Sequence, residues 1–408
     1  MSIATAAVPL EGAGLPELDL RSERYAADPK GVLAEALAAG PMAVSKRGVE
    51  LLSYELISQA FLSEHLDTAG PEHYTKLGAG PNLLRWVDNG LLSTMARARH
   101  DPIRRLLLQA LNFRNVEAQR SFVNATAQRM ARPWLGKGEV DLVAEFTEYY
   151  PINVLTEMIG IPREDIPGFA EAAHELHLLA AVPMAPGLPR VEHALAELES
   201  YVRDLLDKRR AKPQDDFVSA LLAAQQDQQR LTEAELVGNL VNLIFAGMGT
   251  TTKQLASAVA DIVAAGEWEH LAAHPDLIGP AINESLRFSP VTQFVVRIAQ
   301  DDFEFNGVAF PRGTRLLLNL LAASRDPEKF PGPDVFDLGR VVDDSRLPFG
   351  WGVHRCLGQP LARLLMEEGL RVMLANLTDV VVVERDRGPH PAEMLGGPTK
   401  LLLTFRHR

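Results

Sequence analysis

Cys356 is the only cysteine among 408 residues. It stands in Phe349-Gly350-Trp351-Gly352-Val353-His354-Arg355-Cys356-Leu357-Gly358, and an apolar helical segment (Pro360 to Leu374) follows at once. Three glycines around one sulfur let the backbone approach closely and turn its N–H groups inward. The start of the following helix adds positive potential, which favours S⁻ over SH. A tight turn that presents one thiolate suits a single sulfur ligand to a metal cofactor. A lone buried cysteine is usually inert, so the ten-residue context carries this reading.

Two further groups of residues have spacings that could serve chemistry. Thr232 to about Ala265 reads as one helix, with a capping box at Thr232 and Glu235 and a C′ glycine at Gly266. That is ~50 Å of helix at ~1.5 Å per residue. Its middle is Phe245-Ala246-Gly247-Met248-Gly249-Thr250-Thr251-Thr252. Two glycines and three β-branched residues are poor helix formers, so local widening or a kink is expected there. Separately, Glu284-Ser285-Leu286-Arg287 places a carboxylate and a guanidinium on one helix face.

The cysteine segment resembles the haem-binding signature Phe-x-x-Gly-x-His/Arg-x-Cys-x-Gly of the cytochrome P-450 family, soluble bacterial type. The resemblance covers about residues 20 to 405. It implies haem b (iron protoporphyrin IX) with Cys356 as the axial ligand, Phe349, Gly350 and Gly358 shaping the ligand loop, and Ala246 against the haem face. A thiolate in that position makes haem iron favour O–O cleavage. Ala246-Gly247-x-x-Thr250-Thr251 is similar to the family's oxygen-binding motif. Thr250 is then the proton-relay hydroxyl, beside Thr251, while Gly247 and Gly249 open an oxygen groove. Glu284 and Arg287 resemble the family's Glu-x-x-Arg, with Arg340 as third partner in a structural lock. By family position His100, Arg104, Arg297 and His354 meet the haem propionates, although Asp101-Pro102 replaces the family's usual Thr-Arg. Family position also implies a substrate pocket at Leu84, Trp86, Leu243, Met248, Val291, Phe294, Val295, Met394 and Leu395. All are apolar, which implies a largely apolar small molecule.

One departure matters. The family's acid before the threonine is Gly249 here, and no Asp or Glu occurs between Glu235 and Asp261. Water beside Gly249 could relay protons from another element, or a carboxylate on the substrate could assist. Alternatively the enzyme is a peroxide-driven peroxygenase or a nitric-oxide-reductase-like variant. A non-enzymatic haem sensor or carrier is a third class. The first expectation is a monooxygenase that inserts one oxygen atom from O₂ (hydroxylation or dealkylation). Electrons would come from NAD(P)H through a ferredoxin or flavodoxin-type donor docking near Arg104, Arg105, Arg114 and Arg355.

The elements that must position these residues are mostly helical. Met42-Ala43-Val44 and Val49 to Leu52 read as a hairpin, followed by a helix from Tyr54 to Phe61. Residues 66 to 92 read as loop. From His100 to about 290 the apolar spacing is helical, including Ile103 to Leu111, Arg120 to Leu135 and Pro189 to Arg210. Residues 291 to 320, Val380 to Val383 and Leu401 to Phe405 read as strands. Phe169 to Pro189 would be a mobile lid. The fold class is α+β, mostly α, and the resemblance implies a large helical region and small β-sheets around a buried haem.

Bulk properties set further bounds. No linker or repeat divides the chain, so residues 17–408 are expected to form a single haem-binding domain after a flexible N-terminal tail (1–16). With 41 basic and 53 acidic residues the formal charge is −12, which argues against nucleic acid or an anionic membrane as partner. No apolar stretch approaches the roughly 18 residues that span a bilayer. One cysteine and no export signal point to the cytoplasm.

Overall fold

The chain's longest helix, Glu233–Ala264, organises the molecule. Thr232 caps it: its side chain accepts from the Glu235 N–H while the Glu235 carboxylate accepts from the Thr232 N–H. At the other end Gly266, at φ +75°, reverses the chain, a conformation open to glycine at little cost. Nearly every residue on one flank of this helix is buried. Around it pack Tyr150–Ile159, Leu188–Ala211, Ile278–Phe288 and the post-cysteine helix Gln359–Asn376.

The computed structural model describes residues 7–95, 97–111, 113–181, 183–228, 231–340, 346–386 and 388–408. Three small sheets flank the helices. Five strands, in the order Met42–Ser45, Gly48–Leu51, Arg315–Asn319, Phe294–Ala299 and Leu66–Asp67, form the largest. Its hairpin pairs Met42 with Leu51 and Ser45 with Gly48. A second sheet joins Leu377–Arg385, Leu401–His407 and Glu139–Asp141, and a third joins Val8–Pro9, Val308–Phe310 and Phe303–Phe305. Among the described residues no helix is long and apolar enough to cross a membrane.

Several expectations from sequence are corrected. Residues 66 to 92 are not mainly loop: Pro71–Lys76 and Pro81–Asn89 are helices. Their Gly70-Pro71 and Gly80-Pro81 pairs are helix starts, since proline at the first helical position loses no hydrogen bond. The long helix stays α-helical through residues 245–252; among the described residues the π-helical turn lies at Val143–Thr147 instead. Thr252 Oγ1 donates to the Met248 carbonyl at 2.7 Å, absorbing a polar group within the turn. The stretch read as a tail is docked from Val8 onward. Val8 pairs with Val308, Leu10 and Leu15 pack on the β-side core, and Val44 N–H donates to Pro16; residues 1–6 lie outside the described residues. The lid segment is partly helical (Ile166–Glu175 and Leu176–Ala180).

The helix Pro81–Asn89 meets the long helix at two facing glycines. A Cβ on Gly238 would lie 2.7 Å from the Gly90 Cα, and one on Gly90 would lie 2.4 Å from the Gly238 carbonyl oxygen. Trp86 Nε1 donates to that same oxygen at 3.0 Å. The obstacle is backbone on both sides and cannot rotate away. Gly238→Ala is therefore expected to destabilise by about 1–3 kcal/mol through overpacking, measured by denaturant unfolding; wild-type stability would show that the two helices separate freely.

Candidate functional site

Backbone hydrogen bonds and glycines shape the cysteine loop. Cys356 N–H donates to the Phe349 carbonyl at 2.8 Å, closing the turn. Gly350 and Gly352 both have φ near +70°, and a Cβ on Gly352 would lie 2.9 Å from the Phe61 carbonyl oxygen. Those two positions therefore require glycine. The thiol sits deep in the protein but opens onto an internal cavity, so it is reachable there while surrounded by protein. Burial pushes its pKa above the ordinary value. The N–H groups of Gly358 and Gln359 donate to the sulfur and, with Arg104 and Arg355, pull the other way without prevailing. The helix start alone thus does not deliver a thiolate. A metal cation at the sulfur would, because it stabilises S⁻ directly.

The cavity measures about 340 Å³. Cys356, Leu357 and Gly358 line it from one side; Leu243, Ala246, Gly247, Thr250 and Thr251 of the long helix line it from another. Thr250 Oγ1 donates to the Ala246 carbonyl at 3.3 Å. Gly247 is tight against another lining residue: a Cβ there would lie 2.4 Å from Leu155 Cδ2. Gly249 is not among the lining residues. It faces His177, whose Nε2 would lie 2.5 Å from a Cβ at that position. The expected role of Gly249 in opening the cavity is corrected accordingly: adjacent helix positions point about 100° apart, so 249 looks elsewhere when 246, 247 and 250 look inward.

His100, Arg104 and His354 also line the cavity, with the two imidazoles in edge contact at 4.8 Å. His100 Nδ1 lies 2.8 Å from Asp101 Oδ1, and burial first of all holds its pKa below the usual value. His354 Nε2 lies 3.3 Å from Asp67 Oδ1, while its Nδ1 is buried with no hydrogen-bond partner among the described residues. Arg297 does not line the cavity. It lies behind, with its guanidinium 5.4 Å from the Phe61 ring and close to Asp67, and burial pushes its pKa down to about 10. Of the proposed docking residues Arg105, Arg114 and Arg355 are exposed, whereas Arg104 is half-buried; Arg104 and Arg355 both line the cavity.

These residues fit an iron porphyrin. Such a group needs a soft ligand, an apolar slot and polar partners for two carboxylates. The chain offers the sulfur, walls that include Leu243, Leu286, Phe349 and Leu361, and the cluster of His100, Arg104 and His354 with its orphaned ring nitrogen.

Behind the loop, Glu284 is buried and held by two arginines. Arg287 Nε and Nη2 donate to its two oxygens at 2.8 and 2.5 Å, and Arg340 Nε donates at 3.2 Å. Arg287 also reaches the carbonyls of Ser324, Pro333 and Val335. The clamp thus ties the helix Ile278–Phe288 to the irregular chain that leads into the cysteine loop.

The inferred substrate pocket is only partly assembled. Leu243 and Val291 line the cavity. Trp86 and Met248 are core residues, and Leu84 lies off the cavity. Phe294 is buried under the Arg47 guanidinium at 4.0 Å, and Val295 packs in the β-side core. Met394 accepts from the Gln293 N–H, and Leu395 bridges Thr292, so these two buttress a wall residue rather than form the wall. Sequence reasoning missed Leu91, Leu92, Asn242 and Gln254, all of which line the cavity. Asn242, Ala246, Thr250 and Gln254 recur every four residues, a helical stripe that could have revealed the two amides.

Glu284→Ala would leave Arg287 buried and its partner gone, at a cost of about 3–5 kcal/mol. The expected result is loss of haem incorporation, read as haem absorbance per protein, rather than slow turnover by a fully loaded enzyme. Full loading with normal unfolding would remove the clamp from this role.

A family model described as Cytochrome P450 matches residues 273–402. The chain is 34% identical to the mycinamicin IV hydroxylase/epoxidase of Micromonospora griseorubida, over 72% of this chain and 74% of that protein. It is 32% identical to the cyclomarin C epoxidase CymV of Salinispora arenicola, over 78% of this chain and 81% of that one. Among solved structures, epothilone B-bound cytochrome P450epoK superposes with a TM-score of 0.86 at 25% identity, covering 95% of this chain and 99% of that one. The sulfur, cavity and helix described above are therefore those of a monooxygenase-type oxidoreductase, and the chain belongs to the cytochrome P450 family.

Proposed function

We propose that residues 17–408 act as one haem-binding domain that inserts an oxygen atom from O₂ into a largely apolar small molecule by hydroxylation or dealkylation, in the cytoplasm. Electrons would pass from NAD(P)H through a ferredoxin or flavodoxin-type donor. The observation that carries this reading is a cavity lined both by Cys356 and by Ala246, Gly247, Thr250 and Thr251. Haem, when bound, supplies the redox-active iron that activates O₂.

The chain's own residues account for the rest. Cys356 would provide the sulfur ligand, and the Gly358 and Gln359 N–H groups hold that sulfur in place. Their hydrogen bonds spread part of the thiolate charge into the backbone. His100, Arg104 and His354 meet the propionates. Ala246 and Gly247 leave room for a diatomic molecule because neither carries more than a methyl group. Thr250 can turn its hydroxyl from the Ala246 carbonyl toward the cavity and hold a proton there. Leu91, Leu92, Leu243, Phe245 and Val291 exclude water, and Asn242 and Thr292 give a bound molecule a few polar anchors. Two relatives named for hydroxylation or epoxidation support oxygen insertion. Exposed Arg105, Arg114 and Arg355 are suitable contacts for an acidic electron donor.

A peroxygenase remains the second reading, because Gly249 removes the acid that O₂-dependent proton delivery ordinarily uses. Two experiments separate the outcomes. Cys356→Ser is expected to abolish the thiolate-type ferrous–carbonyl spectrum with the helical circular dichroism retained; an unchanged spectrum would overturn the ligand assignment. Turnover is expected with NADPH, a ferredoxin reductase and a ferredoxin; turnover with hydrogen peroxide and none with that system would favour the peroxygenase.

A further inference from the structure

The space beside Gly249 is filled by an imidazole. His177 Nε2 would lie 2.5 Å, and Cε1 2.9 Å, from a Cβ at 249. A carboxylate side chain and this ring could not share the site. The Nε2 atom is buried and has no hydrogen-bond partner among the described residues. An orphaned buried ring nitrogen is costly unless it has a use. It sits where the sequence lacks an acid, and the long helix offers no other carboxylate between Glu235 and Asp261.

We propose that His177 replaces the missing carboxylate, passing protons past Gly249 toward Thr250 through water. The inference rests on the monooxygenase reading. In that reaction O₂, two protons, two electrons and R–H give R–OH and water. The electrons come from NAD(P)H through the donor protein, and both protons must come from solvent. Partly exposed ionisable groups lie outward of the ring. The His174 ring lies 5.8 Å from that of His177, centroid to centroid, and His174 Nε2 lies 3.7 Å from Glu148 Oε1. His174 and Glu148 are each about one-third exposed.

The surroundings keep the ring neutral. Burial first, then His174 and Lys253, push its pKa down to about 4. Phe245 packs on it at 5.9 Å, and the other charges near Lys253 are Glu393 and Asp386. Below about pH 4 the ring would carry a charge; at neutral pH it does not. A neutral imidazole takes a proton at one nitrogen and releases one from the other, so it passes protons without storing charge. His177 acts through water and Thr250 and does not touch the reacting atoms, so it is a positioning residue.

The test uses the haem-loaded enzyme with 7-ethoxycoumarin as an apolar probe whose dealkylation is fluorescent. Hydrogen peroxide brings both protons with it, so peroxide-driven turnover bypasses the relay. His177→Phe keeps an aromatic ring without the nitrogens. It is expected to lower the ratio of NADPH/ferredoxin-driven to peroxide-driven turnover by about tenfold or more. His177→Ala combined with Gly249→Asp places an acid in the vacated space and is expected to restore the ratio. An unchanged ratio in His177→Phe overturns the relay. Wild-type turnover that needs peroxide and is absent with NADPH and ferredoxin overturns the monooxygenase reading instead. Nitrogen NMR of the histidine rings reads the contact without turnover. Gly249→Ala is expected to shift the His177 Nε2 resonance, and no shift would dissociate the ring from position 249.

Discussion

The site depends on a buried carboxylate that could not be left alone. Glu284 is 1% exposed, and Arg287 is 2% exposed. An isolated charge there would cost several kcal/mol, whereas a fully bonded pair offsets most of that penalty. Arg287, once fixed by Glu284, donates to carbonyls from an irregular segment that has no ladder of its own. Backbone groups in such a segment must be satisfied somewhere. The clamp therefore does for that segment what a sheet would do elsewhere.

On the opposite wall the same problem is solved with small residues. The long helix carries Ala246, Gly247, Gly249 and three threonines in its middle, yet remains α-helical. Its ends are capped and its flanks are packed, so tertiary contacts offset the weak propensity. What the small residues provide is space rather than a kink. Gly247 lets Leu155 approach, Gly238 lets the Gly90 backbone approach, and Gly249 admits His177.

In and around the site, burial shifts the ionisable groups more than pairing does. The Cys356 thiol is pushed up, while His100, His177, Arg104 and Arg297 are pushed down, each first by desolvation. Three of these, Cys356, His100 and Arg104, line the cavity. An iron porphyrin would bring a cation to the sulfur and two carboxylates to the basic cluster, answering all three of those penalties together.

Local chemistry was legible in the sequence, because it depends on near neighbours. The ligand turn, the capping box, Glu284 with Arg287 and the long helix are all defined within a few residues along the chain. The helices at Pro71 and Pro81 were missed because Gly-Pro reads equally as a turn and as a helix start. Which side chains reach the cavity was decided by tertiary structure alone. Leu243 and Met248 lie on one helix, and only Leu243 faces inward; Trp86 is drawn into the core by its bond to Gly238. Most of all, His177 lies far from Gly249 in the chain. Only the packing of its segment on the long helix brings an imidazole to the place where the sequence shows an absence.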